Sequence, residues 1–112
     1  MKEEDLEFMA EILDKAHWLF YGDLDEHFTD FLKSVFRYEL KEWGFGDVKM
    51  EPHFAVAYWL FLSELVALDL AEYGTSPRGA WLTTKGERFK HLVMSNEDAI
   101  GETNKYIYQQ NH

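Results

Sequence analysis

The chain has 112 residues, and its 21 acidic against 11 basic side chains give a formal charge of −10. That length fits one domain, and a content of 46% hydrophobic and 17% aromatic residues excludes a disordered chain. The charge counts against general affinity for nucleic acid or an anionic membrane, and the absence of cysteine excludes disulfides, thiolate metal sites and thiol catalysis.

The first predicted element is an amphipathic helix over about residues 3–21. Leu6, Met9, Leu13, Ala16 and Phe20 recur at spacings of three and four, while Glu3, Glu4, Glu7, Glu11 and Asp14 fall mostly off that stripe. Early acids also complement the positive end of a helix dipole. Gly22 is expected to end the helix, and Asp23 with Glu26 resembles a capping box for the next one. That second helix, about 24–43, is expected to bury Leu24, Phe28, Phe31, Leu32, Val35, Phe36 and Leu40. Gly44-Phe45-Gly46 closes it, and Trp18, Phe20, Tyr21, Trp43 and Phe45 form either a surface cluster or, the favoured reading for a small domain, core packing.

Pro52 suits the first turn of a third helix, about 52–67, which is apolar on nearly every face. Such a helix is buried either in the domain centre or in a subunit interface, and Tyr58, Trp59, Phe61 and Leu62 are the residues a homodimer would use. The period then changes. Residues 68–73 alternate as a strand, Gly74 to Gly79 is a turn-rich loop, and Ala80 to Thr83 returns, making a hairpin over about 68–83. Thr83 caps a last helix, about 84–94, that buries Phe89, Leu92 and Val93. Residues 95–112 read as a polar tail or a loosely docked helix, beyond a single domain over 1–94.

The run from Leu65 to Val93 resembles the end of a winged helix-turn-helix domain. Its marks are Leu65, Leu68 and Leu70 at the close of a helix, the loop Gly74–Gly79, and Leu82-Thr83-Thr84-Lys85-Gly86 opening the next helix. The resemblance implies a mainly α fold with a small β-hairpin wing. In DNA-binding members the helix before the wing reads the major groove. Here residues 52–67 hold no Lys or Arg and carry Glu64, so direct base readout is not expected of them. Arg78, Lys85, Arg88 and Lys90 form a small basic island that would touch the DNA backbone if the wing bound DNA.

No catalytic signature is present. The five histidines form no metal-binding pair of the H-x-x-x-H kind, and His27 beside Asp23 or Asp30 reads as a solvated histidine among acids near a helix start. The serines occupy no nucleophile elbow, and Gly44-Phe45-Gly46 lacks the context of a phosphate loop. No cofactor or metal is expected. The acidic N-terminal stretch has no apolar core like that of a signal peptide, and the most apolar run, 54–62, is too short to span a membrane. With no cysteine, the chain fits a reducing, cytoplasmic setting.

Charge placement gives the functional expectation. Residues 1–30 hold ten acids and two lysines, a net −8, while 76–94 are net +3. The chain is therefore expected to be a non-enzymatic protein-interaction module whose acidic first helix engages a basic partner protein. Inhibitors, immunity proteins and DNA mimics share this size and charge. The alternative is a transcriptional regulator that binds DNA as a dimer through the wing.

Overall fold

The computed structural model describes residues 1–16, 26–39, 62–73 and 80–111. Over these residues the protein is mainly helical with one small antiparallel hairpin. Helix α1 spans Glu3–Lys15 and α2 spans Glu26–Glu39. Helical residues 62–67 form α3, strands β1 (Ala71–Tyr73) and β2 (Ala80–Leu82) make the hairpin, and α4 (Thr84–Ser95) and α5 (Ala99–Gln110) follow.

Helix α1 ends sooner than its apolar spacing predicts. Ala16 is its cap, with ψ of 16°, and the amide of Ala16 still bonds to the carbonyl of Ile12 at 3.0 Å. The rest of the expected helix, 17–21, lies outside the described residues. Met9, Ile12, Leu13 and Ala16 are buried, and Leu6 is half-buried. In α2 the stripe also shifts. Thr29, Leu32 and Phe36 are fully buried, whereas Phe31, expected inside, is 45% exposed. Positions 29, 32 and 36 lie on one helical face, and residue 31 sits about 100° away from 32. The expected capping pair at Asp23, the glycine turn at 44–46 and the aromatic group at 18, 20, 21, 43 and 45 lie outside the described residues.

The junction between α3 and the hairpin differs from the expected strand over 68–73. The amide of Leu70 bonds to the Leu65 carbonyl at 2.8 Å and that of Asp69 to the Val66 carbonyl at 3.0 Å, the paired closure of a Schellman motif. Asp69 takes the left-handed conformation this requires, with φ of 62°. Leu65 and Leu70, the two apolar partners of such a closure, are both buried. The leucine spacing that reads as strand alternation thus serves a helix terminus, and β1 begins only at Ala71.

Thr83 then ties this junction to α4. Its hydroxyl donates to the Asp69 carbonyl at 2.8 Å and accepts from the Gly86 amide at 3.0 Å, while its own amide bonds to the Leu70 carbonyl at 3.0 Å. A Cβ on Gly86 would run into that same Leu70 carbonyl oxygen. The Leu-Thr-x-x-Gly pattern therefore has a physical reading: a strand residue, a helix cap, and a glycine that lets α4 meet the backbone of the α3 closure.

Around this joint, Phe36 and Phe89 meet edge to face with centroids 6.0 Å apart, and Leu62, Leu65, Leu92 and Val93 are buried with them. Residues 99–110, read from sequence as a polar tail or docked helix, form α5, which packs against α1, α2 and α4. Its Ala99, Ile100 and Thr103 are fully buried. Asp98 caps it by accepting from the Gly101 amide at 3.1 Å, and accepts at the same distance from the hydroxyl of Thr29. That hydroxyl in turn receives the Ile100 amide at 3.2 Å, so α2 helps hold the start of α5. Among the described residues no helix is long and apolar enough to cross a membrane.

Candidate interaction surfaces

Two regions carry the chemistry left at the surface: the acidic side of α1 and the solvent face of the hairpin. On α1, Glu3, Glu4, Glu7, Glu11 and Asp14 are all exposed, opposite the buried Met9, Ile12 and Leu13. Glu3, Glu7 and Glu11 follow one another at i, i+4, an arrangement of like charges that costs an isolated helix about 0.2–0.5 kcal/mol per pair. Glu3, Glu4 and Asp5 recover part of this by lying in the first turn, at the positive end of the dipole.

The acids of α1 are used unequally. Lys15 donates to Glu11 at 3.2 Å, an exposed pair within the helix. Asp5, partly buried, accepts from Arg88 of α4 at 3.0 Å. Loss of solvent, then the nearby charges of Glu7 and Glu3, pushes the Tyr106 phenol on α5 up from its ordinary value. Glu3 and Glu4 form no ion pair among the described residues.

The basic island divides in the same manner. Arg88 lies over the Phe8 ring, 4.1 Å from its centroid, while bonded to Asp5, so its guanidinium is committed within the chain. Lys90, its side chain mostly covered, has its ammonium 3.9 Å from Glu87. Lys85 is half-buried at the start of α4. Arg78, like Tyr58, Trp59 and Phe61, lies outside the described residues. Leu62, assigned with them to a dimer interface, is fully buried.

Sequence reasoning overlooked the hairpin face. The register places Glu72 opposite Trp81, and the Trp81 indole Nε1–H donates to Glu72 Oε2 at 3.0 Å. Trp81 is nonetheless 50% exposed. It lines an open groove of about 520 Å³ shared with Asp69, Glu72, Leu82, Thr83, Thr84 and Lys85. The Tyr73 hydroxyl lies 3.2 Å from that of Ser63, joining β1 to α3.

Glu64 is the other residue with an unusual setting. It is 1% exposed, and its Oε1 has no hydrogen-bond partner among the described residues. Burial pushes its carboxyl up from the usual range. Among the described residues no three His, Asp or Glu side chains converge on a point that would hold a metal ion. No family model matches the chain, and neither curated proteins nor solved structures include a match to it.

Proposed function

We propose that the chain is a non-enzymatic protein-interaction module on a winged-helix-like scaffold, acting in the cytoplasm, whose acidic α1 face binds a basic surface on another protein. The observation that carries this reading is the uninterrupted exposure of Glu3, Glu4, Glu7, Glu11 and Asp14 on one helix. Repulsion along that face lowers the helix's own stability, so a partner that supplies positive charge gains by relieving it. An inhibitor, immunity protein or DNA mimic would use such a face. The winged-helix scaffold draws support from the sequence of helix closure, hairpin and glycine-bearing α4 joined through Thr83 and Gly86.

The alternative, a regulator that grips DNA through the wing as a dimer, draws less support. It needs unengaged cations, and Arg88 and Lys90 already face Asp5 and Glu87. It also needs a positive wing, whereas β1 presents Glu72.

Affinity capture with the full chain from its host's lysate, compared with a Glu3, Glu4, Glu7 and Glu11→Gln variant, tests the proposal. The variant should lose most of the captured protein, and the remaining binding should depend less steeply on salt. Equal capture by both chains would overturn the reading, and salt-sensitive binding of duplex DNA lost on Arg78→Ala and Lys90→Ala would replace it with the alternative.

A further inference from the structure

Among the described residues the same kind of receptor is built twice and only one is filled. At the first, an aromatic ring and a neighbouring carboxylate, Phe8 and Asp5, hold a guanidinium: Arg88 lies over the ring at 4.1 Å and donates to the carboxylate at 3.0 Å. At the second, the ring of Trp81 and the carboxylate of Glu72 stand side by side across the hairpin. Among the described residues no Lys or Arg lies on that ring or pairs with that acid.

We propose that the groove beside the hairpin receives an arginine side chain of the basic partner protein, its guanidinium laid on the Trp81 ring and bonded to Glu72. The inference rests on the interaction-module reading and assigns that partner a second point of contact. Three features favour this occupant. The indole N–H is already spent on Glu72 Oε2, which fixes the ring while leaving half of its surface to solvent. Indole is the strongest of the aromatic side chains in attracting a cation. Among the described lining residues, Glu72 and Asp69 outweigh Lys85, so together they favour a cation.

Arginine fits better than lysine because a planar guanidinium stacks on a ring and donates sideways in the same plane. A compact ammonium does one or the other. Asp69 sits at the groove with its backbone pinned, since its carbonyl accepts from Thr83. Its carboxylate therefore adds charge beside the groove without being part of the stack. A phosphate backbone is the wrong ligand for this face, because Glu72 and Asp69 would repel it.

The test is a titration of the nitrogen-15-labelled full chain with a blocked Gly-Gly-Arg-Gly-Gly peptide, followed at the Trp81 indole N–H signal, assigned through Trp81→Phe. Peptides with lysine or citrulline in place of arginine serve as controls. One cation per peptide keeps general attraction to α1 small. The Trp81 signal should move saturably with arginine, about threefold less tightly with lysine, and not at all with neutral citrulline. Glu72→Gln should weaken binding about fivefold and Asp69→Asn about twofold, the second tolerating the left-handed backbone at that position.

The Glu3, Glu4, Glu7 and Glu11→Gln chain should still bind this peptide within about twofold, which separates the groove from the acidic helix. A static Trp81 signal, an equal response to citrulline, or affinity unchanged in both Glu72→Gln and Asp69→Asn would overturn the inference. If Arg78→Ala raised affinity about fivefold, the chain's own Arg78 would be the occupant, and the partner's arginine would be excluded. If only α1 signals moved, the groove would fail while the acidic-helix reading stood.

Discussion

Asp5, Phe8 and Arg88, where α1 meets α4, and Glu72 with Trp81, on the hairpin, are made of similar parts but are filled differently among the described residues. The first set joins two helices that are far apart in sequence, with Arg88 and Asp5 separated by 83 positions. Its ring, cation and acid satisfy one another, so it contributes to stability and offers little to a ligand. The second set is local to one hairpin, its ring is half exposed, and its acid faces solvent. A charged group becomes available for binding when the fold leaves its natural counterpart out. That contrast is why the proposed reading gives the hairpin, net acidic in its strands, more weight than the basic island.

The largest effect should come from the joint that holds the hairpin to the helical body. Gly86→Ala places a methyl group against the Leu70 carbonyl oxygen, which is backbone and cannot rotate away. A loss of about 3 kcal/mol in urea-denaturation stability is expected, at the upper end for overpacking. In any folded fraction the Trp81 indole signal should shift far more than signals from α1. Unchanged stability would mean that α4 does not meet the α3 closure as closely as this, and the placement of the hairpin would have to be revised.

Glu64→Met should act in the opposite direction. The carboxylate is buried with one oxygen unpartnered, and removing such a group while keeping its volume recovers about 1–3 kcal/mol at neutral pH. The sign with pH follows from the raised carboxyl pKa. The folded state holds its proton to higher pH than the unfolded chain does, so the contribution of Glu64 is most favourable below about 4.5 and declines as pH rises through the folded value. The advantage of Glu64→Met should therefore widen from pH 4 toward pH 7. Equilibrium unfolding of both chains at several pH values checks this, and a constant difference would show that the buried charge is not the cause.

Much of the architecture is legible in the sequence, because it rests on local rules. The stripe of α1, the Thr83 cap and the burial of Phe89, Leu92 and Val93 follow from helical spacing and capping chemistry. Phe31 was harder, since several apolar residues of α2 compete for one face and only the packed body decides which turns outward. Leu68-Asp69-Leu70 satisfies a strand pattern and a Schellman closure equally, and the hydrogen bonds from Leu70 and Asp69 back to α3 distinguish them. The acidic face is readable directly, because charge needs no partner to be seen. The commitment of Arg88 to Asp5 is a tertiary fact. So is the pairing of Glu72 with Trp81, although a fixed hairpin register would place both on one face.

The smallest effects are the most informative about the two aromatic–acid sets, and they come from matched substitutions. Arg88→Gln removes a stacked cation from Phe8 and an ion pair from Asp5 whose members are 45% and 24% exposed. At that exposure solvent screens the pair, so a loss of about 1 kcal/mol is expected, shrinking in high salt. Glu72→Gln keeps an acceptor for the Trp81 indole and removes only charge, so stability should change by less than about 0.5 kcal/mol. Urea melts of the two variants at low and high salt measure both quantities. If Glu72→Gln cost as much as Arg88→Gln, the hairpin acid would be a structural member like Asp5. If neither mattered while arginine binding fell only in Glu72→Gln, then exposure alone, without any difference in stabilising role, would separate the binding acid from the buried one.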